Sequence, residues 1–261
     1  MPLPAGQSQR IILTGATSGI GAALARRYAA TGATLGLIAR RRPELERLAA
    51  ELGASCEIYP LDVRDAEALA VGARDFVHRH GCPDLVIANA GVSVGTLTEH
   101  VEDTQVFEDV VNTNLIGMLN TFQPFVACMR TRGGGTLAGI ASVAGYRGLP
   151  GAGAYSASKA AAIAYLESLR VELRASGVRV VTICPGFIDT PLTAKNPYHM
   201  PFLMDADAAA VKIASLIARG KPYAVIPWQM AIVACILRIL PNWLYDRLLT
   251  GRPHKPRRLS S

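Results

Sequence analysis

The chain has 261 residues, half of them apolar and only 18% charged, with 24 glycines. That length is ample for one continuous buried core; the composition excludes a disordered chain, and the lack of a glycine at every third position excludes a collagenous one. The formal charge of +7 lies wholly beyond Ala218, where Arg219, Lys221, Arg238, Arg247, Arg252, Lys255, Arg257 and Arg258 face a single acid, Asp246. The basic character therefore belongs to the tail, and no nucleic-acid partner is expected for the main body.

In chain order, short apolar runs without polar alternation are followed by longer helical ones. Strands are expected at Arg10–Thr14, Thr34–Ala39, Cys56–Leu61, Leu85–Asn89, Thr136–Ile140, Val178–Cys184 and Tyr223–Ile226. Helices are expected at Ala22–Thr31, Pro43–Leu52, Ala66–His80, Thr104–Thr131 (as one stretch) and Ser156–Ser176. Alternation of this kind implies right-handed crossovers and an α/β fold: one doubly wound parallel sheet of about seven strands with helices on both faces.

After the first strand comes TGATSGIG, residues 14–21, opening a helix. Gly15, Gly19 and Gly21 at a strand-to-helix turn let backbone approach a pyrophosphate, and the N–H groups of the helix start bind its oxygens; Thr17, Ser18 and Ile20 belong to the same cradle. The second strand ends in LIARRR, without the acid that usually accepts from the adenosine ribose of NAD. Arg40 leads three arginines there, and a guanidinium favours a 2′-phosphate, so the cofactor expected is NADP(H), with NAD(H) second.

Further on, Tyr155 and Lys159 stand one helical turn apart. A free phenol titrates near 10, and a nearby ammonium lowers that value, which suits the tyrosine to general acid–base work. Ser142 follows an apolar strand, as do the glycine loop, Asn89 and Pro185-Gly186, so all belong to the carboxyl edge of the sheet, where ligands bind.

Taken together, TGATSGIG, Asp62-Val63, Asn89-Ala90-Gly91, Asn114, Ser142, Tyr155 with Lys159, and Pro185 to Thr190 closely resemble the short-chain dehydrogenase/reductase (SDR) family over roughly residues 8–227. Ala88 stands where the family usually has a first Asn. The resemblance implies a Rossmann-type catalytic domain over 1–227, a substrate lid at about 190–205, and a separate apolar helical segment with a basic tail at 228–261. It also implies that Tyr155 donates or removes the proton, Lys159 lowers its pKa and holds the nicotinamide ribose, Ser142 orients the carbonyl, and Asn114 holds a relay water. Asp62 and Val63 would hold the adenine, Asn89 the ribose region, and Ile188 and Thr190 the carboxamide and phosphates.

The lid sequence PLTAKNPYHMPFLM suggests a lipophilic ketone, aldehyde or secondary alcohol as substrate, with no charged cluster apart from Lys195 and His199. A 3-oxoacyl or keto-sphingoid reductase at the membrane is the alternative enzyme, and a non-catalytic NAD(P)-sensing module the alternative from another class. The apolar stretch Met230–Leu240, flanked by Trp228, Trp243 and Tyr245 and followed by Arg252, Lys255, Arg257 and Arg258, fits either a helix lying on an anionic leaflet or the contact of a homodimer or homotetramer. Five scattered cysteines (Cys56, Cys82, Cys128, Cys184, Cys235) predict free thiols. With no signal-like leader this suggests a cytoplasmic protein, peripheral on the inner face of the membrane if the leaflet reading holds. The histidines (His78, His80, His100, His199, His254) have no ligand spacing, so no metal is expected.

Overall fold

The computed structural model describes residues 8–53 and 55–257. Residues 1–7, the start of the segment expected to carry no leader, and Arg258 of the basic tail lie outside the described residues. The seven apolar runs form β1 (Arg10–Thr14), β2 (Thr34–Ala39), β3 (Cys56–Pro60), β4 (Leu85–Ala88), β5 (Gly135–Ile140), β6 (Val178–Pro185) and β7 (Tyr223–Ile226). All pair in parallel, in the order β3-β2-β1-β4-β5-β6-β7. The order reverses between β1 and β4, and a crevice opens at the carboxyl ends of such a switch point.

Covering helices are α1 (Gly19–Ala29), α2 (Arg42–Leu52), α3 (Ala66–His80), α4 (Asp103–Val111), α5 (Gly117–Arg132), α6 (Gly153–Glu172) and α7 (Ala206–Ala218). Because strand side chains alternate, Ile11 and Leu13 pack with Leu24, Leu45 and Ile213 of α1, α2 and α7 on one face. On the other face Ile12 packs with Phe76, Phe122 and Leu166 of α3, α5 and α6. Both faces of the sheet are thus buried, which is why the strands show no polar alternation. At the far edge Asp84 ties the sheet together: Arg10 donates to it at 2.9 and 3.0 Å and Arg132 at 2.9 Å.

One expectation needs refining and two need correction. The stretch Thr104–Thr131 is helical throughout, as expected, but its winding is not uniform: a π-turn at Asn112–Ile116 joins α4 to α5. Apolar periodicity marks which face is buried but cannot show a single surplus residue in a turn. The cysteines are not all free: Cys82 and Cys128 are joined in a disulfide, with Cα atoms 5.9 Å apart across 46 residues. Only the packing of α5 beside the start of β4 brings them together, so spacing in the sequence could not reveal the pair. The cysteine argument for a reducing compartment falls with it.

The second correction concerns the tail. After β7, α8 (Trp228–Ile239) buries Met230 and Ala234 against the body while Trp228, Ile232, Ile236 and Ile239 stay exposed. Arg147 donates to the carbonyls of Leu237 and Leu240 at 2.7 and 2.6 Å, satisfying the helix end, and its guanidinium lies 4.1 Å from the ring centre of Tyr245 in α9 (Asn242–Leu249). Beyond α9 the chain folds back. Lys255 donates to the Leu192 carbonyl at 2.9 Å, and Arg257 pairs with Asp103 at 2.7 and 3.1 Å. Two of the tail cations expected to face an anionic leaflet are therefore engaged within the chain. Among the described residues no helix is long and apolar enough to cross a membrane.

Candidate active site

The loop after β1 is shaped by backbone constraint. Gly15 adopts φ +65°, and a Cβ there would come within 2.8 Å of the Ala90 Cα, so only glycine fits. Gly21 sits beneath the loop; a side chain would run into the Gly15 carbonyl. It shapes the cradle and does not line it. Asn89 fastens the loop to the end of β4, its amide donating to the carbonyls of Thr14 and Gly15 at 3.1 and 3.2 Å. The Thr14 hydroxyl accepts from the Asn89 and Ala90 N–H groups at 3.1 and 3.2 Å.

One cleft of about 530 Å³ runs along this edge. Its first end is lined by Arg40, Asp62 and Val63, its middle by Gly15, Thr17, Ser18, Gly19, Ile20 and Asn89, and its far end by Ser142, Tyr155 and Lys159 beside Ile188 and Thr190. Apart from Gly21 and Asn114, which lie behind the walls, the expected site residues share this one surface. The three arginines separate: Arg41 pairs with Glu44 at 3.0 Å and Arg42 with Glu46 at 3.6 Å, while Arg40 has no ion pair among the described residues. Burial resists ionisation of Asp62, but Arg64, bonded at 2.8 and 3.0 Å, and the nearby Arg40 hold its carboxyl below the usual range.

At the far end, Ser142 leads out of β5 and its hydroxyl accepts from the Ala144 N–H at 3.1 Å. Tyr155 and Lys159 project from the first turns of α6. Lys159 is buried, donates to the Ile140 carbonyl at 2.8 Å, and is pushed down to about 8 by desolvation. Desolvation likewise pushes the Tyr155 phenol up, and the Ser142 hydroxyl works against it. The expected lowering of the phenol by Lys159 is therefore not the governing effect in this structure: the ammonium lies 5.9 Å from the ring centre, committed to the Ile140 carbonyl. A protonated phenol beside a hydroxyl is equipped to deliver a proton to an oxygen placed between them.

Asn114, wholly buried in the π-turn, accepts from the Val92 N–H at 2.8 Å and donates to the Val92 carbonyl and the Ser158 hydroxyl at 3.0 Å each. These three bonds use both amide N–H groups and one of the two acceptor positions of Oδ1, and tie the loop after β4 to α6. Ser158 was not singled out in the sequence, although its place between Tyr155 and Lys159 was a signal. Nor were Asp103, Lys255 and Arg257 recognised as neighbours of the site; no local pattern joins residues 154 positions apart.

A family model described as short chain dehydrogenase matches residues 9–200. A protein of Myxococcus xanthus named only as an uncharacterized oxidoreductase is 40% identical over 90% of this chain and 94% of its own length. A putative ketoacyl reductase of the monensin polyketide synthase from Streptomyces virginiae is 33% identical over 82% and 84%. Among solved structures, an alcohol dehydrogenase from Thermococcus sibiricus complexed with 5-hydroxy-NADP superposes with a TM-score of 0.76 at 27% identity, over 84% of this chain and 96% of that one. A 3-ketoacyl-ACP reductase from Sinorhizobium meliloti gives 0.76 at 29% identity, over 86% and 99%.

Proposed function

The chain belongs to the short-chain dehydrogenase family and is an oxidoreductase of that type, and from this we propose that it is an NADPH-dependent reductase of a lipophilic ketone or aldehyde, able to run in reverse on the alcohol. The observation that carries the reading is the meeting of Ser142, Tyr155 and Lys159 at one end of a cleft whose other end presents the unpaired Arg40. The residues fit a dinucleotide: a cradle in which a Cβ at Gly15 has no room, a free guanidinium where a 2′-phosphate would lie, and a buried lysine at the opposite end. Resident cofactor would supply the hydride.

The chain's own work is then positioning and proton transfer. Ser142 holds the carbonyl oxygen and stabilises the charge that develops on it. Tyr155 keeps its proton at Oη until that oxygen gains basicity, then releases it. Lys159 places a positive charge beneath the site and would hold the nicotinamide ribose. Asn114 keeps α6 in register with the loop after β4 and would hold the relay water expected of it.

Loss of NADPH absorbance across ketones and aldehydes of rising chain length tests the proposal. Turnover with the longer members supports it; tight NADPH binding without turnover of any member favours the sensing module. The lipid-chain alternative draws on the ketoacyl reductases among the similar proteins, and 3-oxoacyl substrates in the same panel address it. For the exposed face of α8 we propose a second copy of the chain as the occupant, because Lys255 and Arg257 are already engaged. Sedimentation velocity should show a dimer or larger; a monomer that pellets with anionic vesicles would assign the face to membrane.

A further inference from the structure

Where the tail returns to the body it meets the Tyr155 end of the cleft. The Gly95 N–H donates to the Pro256 carbonyl at 3.0 Å, and the Thr96 N–H to the Gly151 carbonyl at 3.0 Å, next to the start of α6. Arg257 locks this arrangement onto buried Asp103, which also accepts from the Leu97 N–H at 2.7 Å. Lys255 is thereby held against Leu192, a residue of the lid that lines the cleft.

Lys255 as a residue is nine-tenths buried, yet among the described residues it has no carboxylate partner; one of its three N–H bonds is used, on the Leu192 carbonyl. Three residues beyond Leu192 in the same lid segment stands another cation, Lys195, which lines the cleft with Leu192. Desolvation first, then Lys195, brings Lys255 down to about 8, so it remains mostly cationic at neutral pH. Burying a cation beside another without an anion is costly, and an incoming anion would relieve it. The sequence shows no charged cluster here because the two lysines stand 60 positions apart, and only the folded-back tail brings Lys255 onto the lid segment that carries Lys195.

We propose that Lys255 and Lys195 together bind a carboxylate or phosphate group of the substrate, making the substrate a carbonyl compound with an apolar body and an anionic end. The turnover arm of the test rests on the reductase reading; the binding arm does not. In calorimetry on NADPH-loaded protein, octanoate and octyl phosphate are expected to bind at least about ten-fold tighter than octanol, and the tighter of the two names the anion. Lys255→Met and, on the exposed lid, Lys195→Met should each weaken the alkyl anions by about ten-fold and leave octanol unchanged. Failure of both anions to bind, equal binding of octanol, or anion affinities unchanged in both variants overturns the inference. So does a weakened NADPH in place of weakened alkyl anions, which would assign the lysines to the cofactor. Reduction of 3-oxooctanoate should exceed that of its methyl ester in wild type and not in Lys255→Met. If neither compound is reduced while the variants still lose the anions, the reductase reading fails and the anion site stands.

Discussion

The two ends of the cleft are built differently. The glycine cradle is made of consecutive chain: β1, the loop and α1, fastened by three hydrogen bonds from Asn89 and one from the Ala90 N–H to Thr14 and Gly15. The end that carries Ser142, Tyr155 and Lys159 is assembled from distant segments, namely the exits of β4, β5 and β6, the first turns of α6 and the segment 190–195, with the tail bracing a neighbouring loop through Arg257 and Asp103. A site made by local backbone tolerates little change and announces itself in the sequence. A site made by distant loops can vary one wall at a time, so its ligand is read only from the folded molecule.

Breaking each end in turn should separate binding from chemistry. The largest effect is expected for Tyr155→Phe: turnover falling by about 10²–10⁴-fold with NADPH affinity nearly intact, measured by steady-state kinetics and cofactor titration. Wild-type-like turnover would place the chemistry elsewhere. Gly21→Ala should act at the other end, forcing a methyl group into the Gly15 carbonyl; a stability loss of about 1–3 kcal/mol and a collapse of NADPH binding are expected in thermal melts and fluorescence titration. If its cofactor affinity is unchanged, the nucleotide end is softer than its packing indicates. Arg40→Ala should weaken NADPH by about ten-fold and leave NADH unaltered, since only the 2′-phosphate is lost as a partner.

The smallest effect is on stability. Lys159 titrates near 8 in the folded protein against an ordinary 10.5, so between these values the unfolded chain holds more protons. Stability should therefore rise with pH across that window, and urea titrations of Lys159→Met should show a shallower rise than wild type.

How much of this was legible follows the same division. The strands were placed within a residue or two because burial on both faces imposes uninterrupted Ile, Val and Leu, and Tyr155 with Lys159 stood one turn apart in plain view. Arg40, Arg41 and Arg42 look equivalent in the sequence; only the folded positions of Glu44 and Glu46 single out Arg40 as the one without an ion pair among the described residues. Sequence reasoning also missed that Lys159 is occupied by a strand carbonyl, because which backbone groups remain unpaired at a strand end depends on the neighbouring strand's reach. The disulfide and the folded-back tail were invisible for a common reason: partners separated by dozens of residues leave no periodicity.

The π-turn at Asn112–Ile116 carries a consequence for editing the chain. Such a turn holds one residue more than an α-turn, so removing one residue there would yield an uninterrupted helix with better local hydrogen bonding. The cost would be a swing of roughly 100° between the two halves. Asn114 would leave Val92 and Ser158, and Asn120, which now donates to the Val63 carbonyl at 3.0 Å, could not keep its place at the same time. A shortened protein would be the more regular polymer and the poorer catalyst.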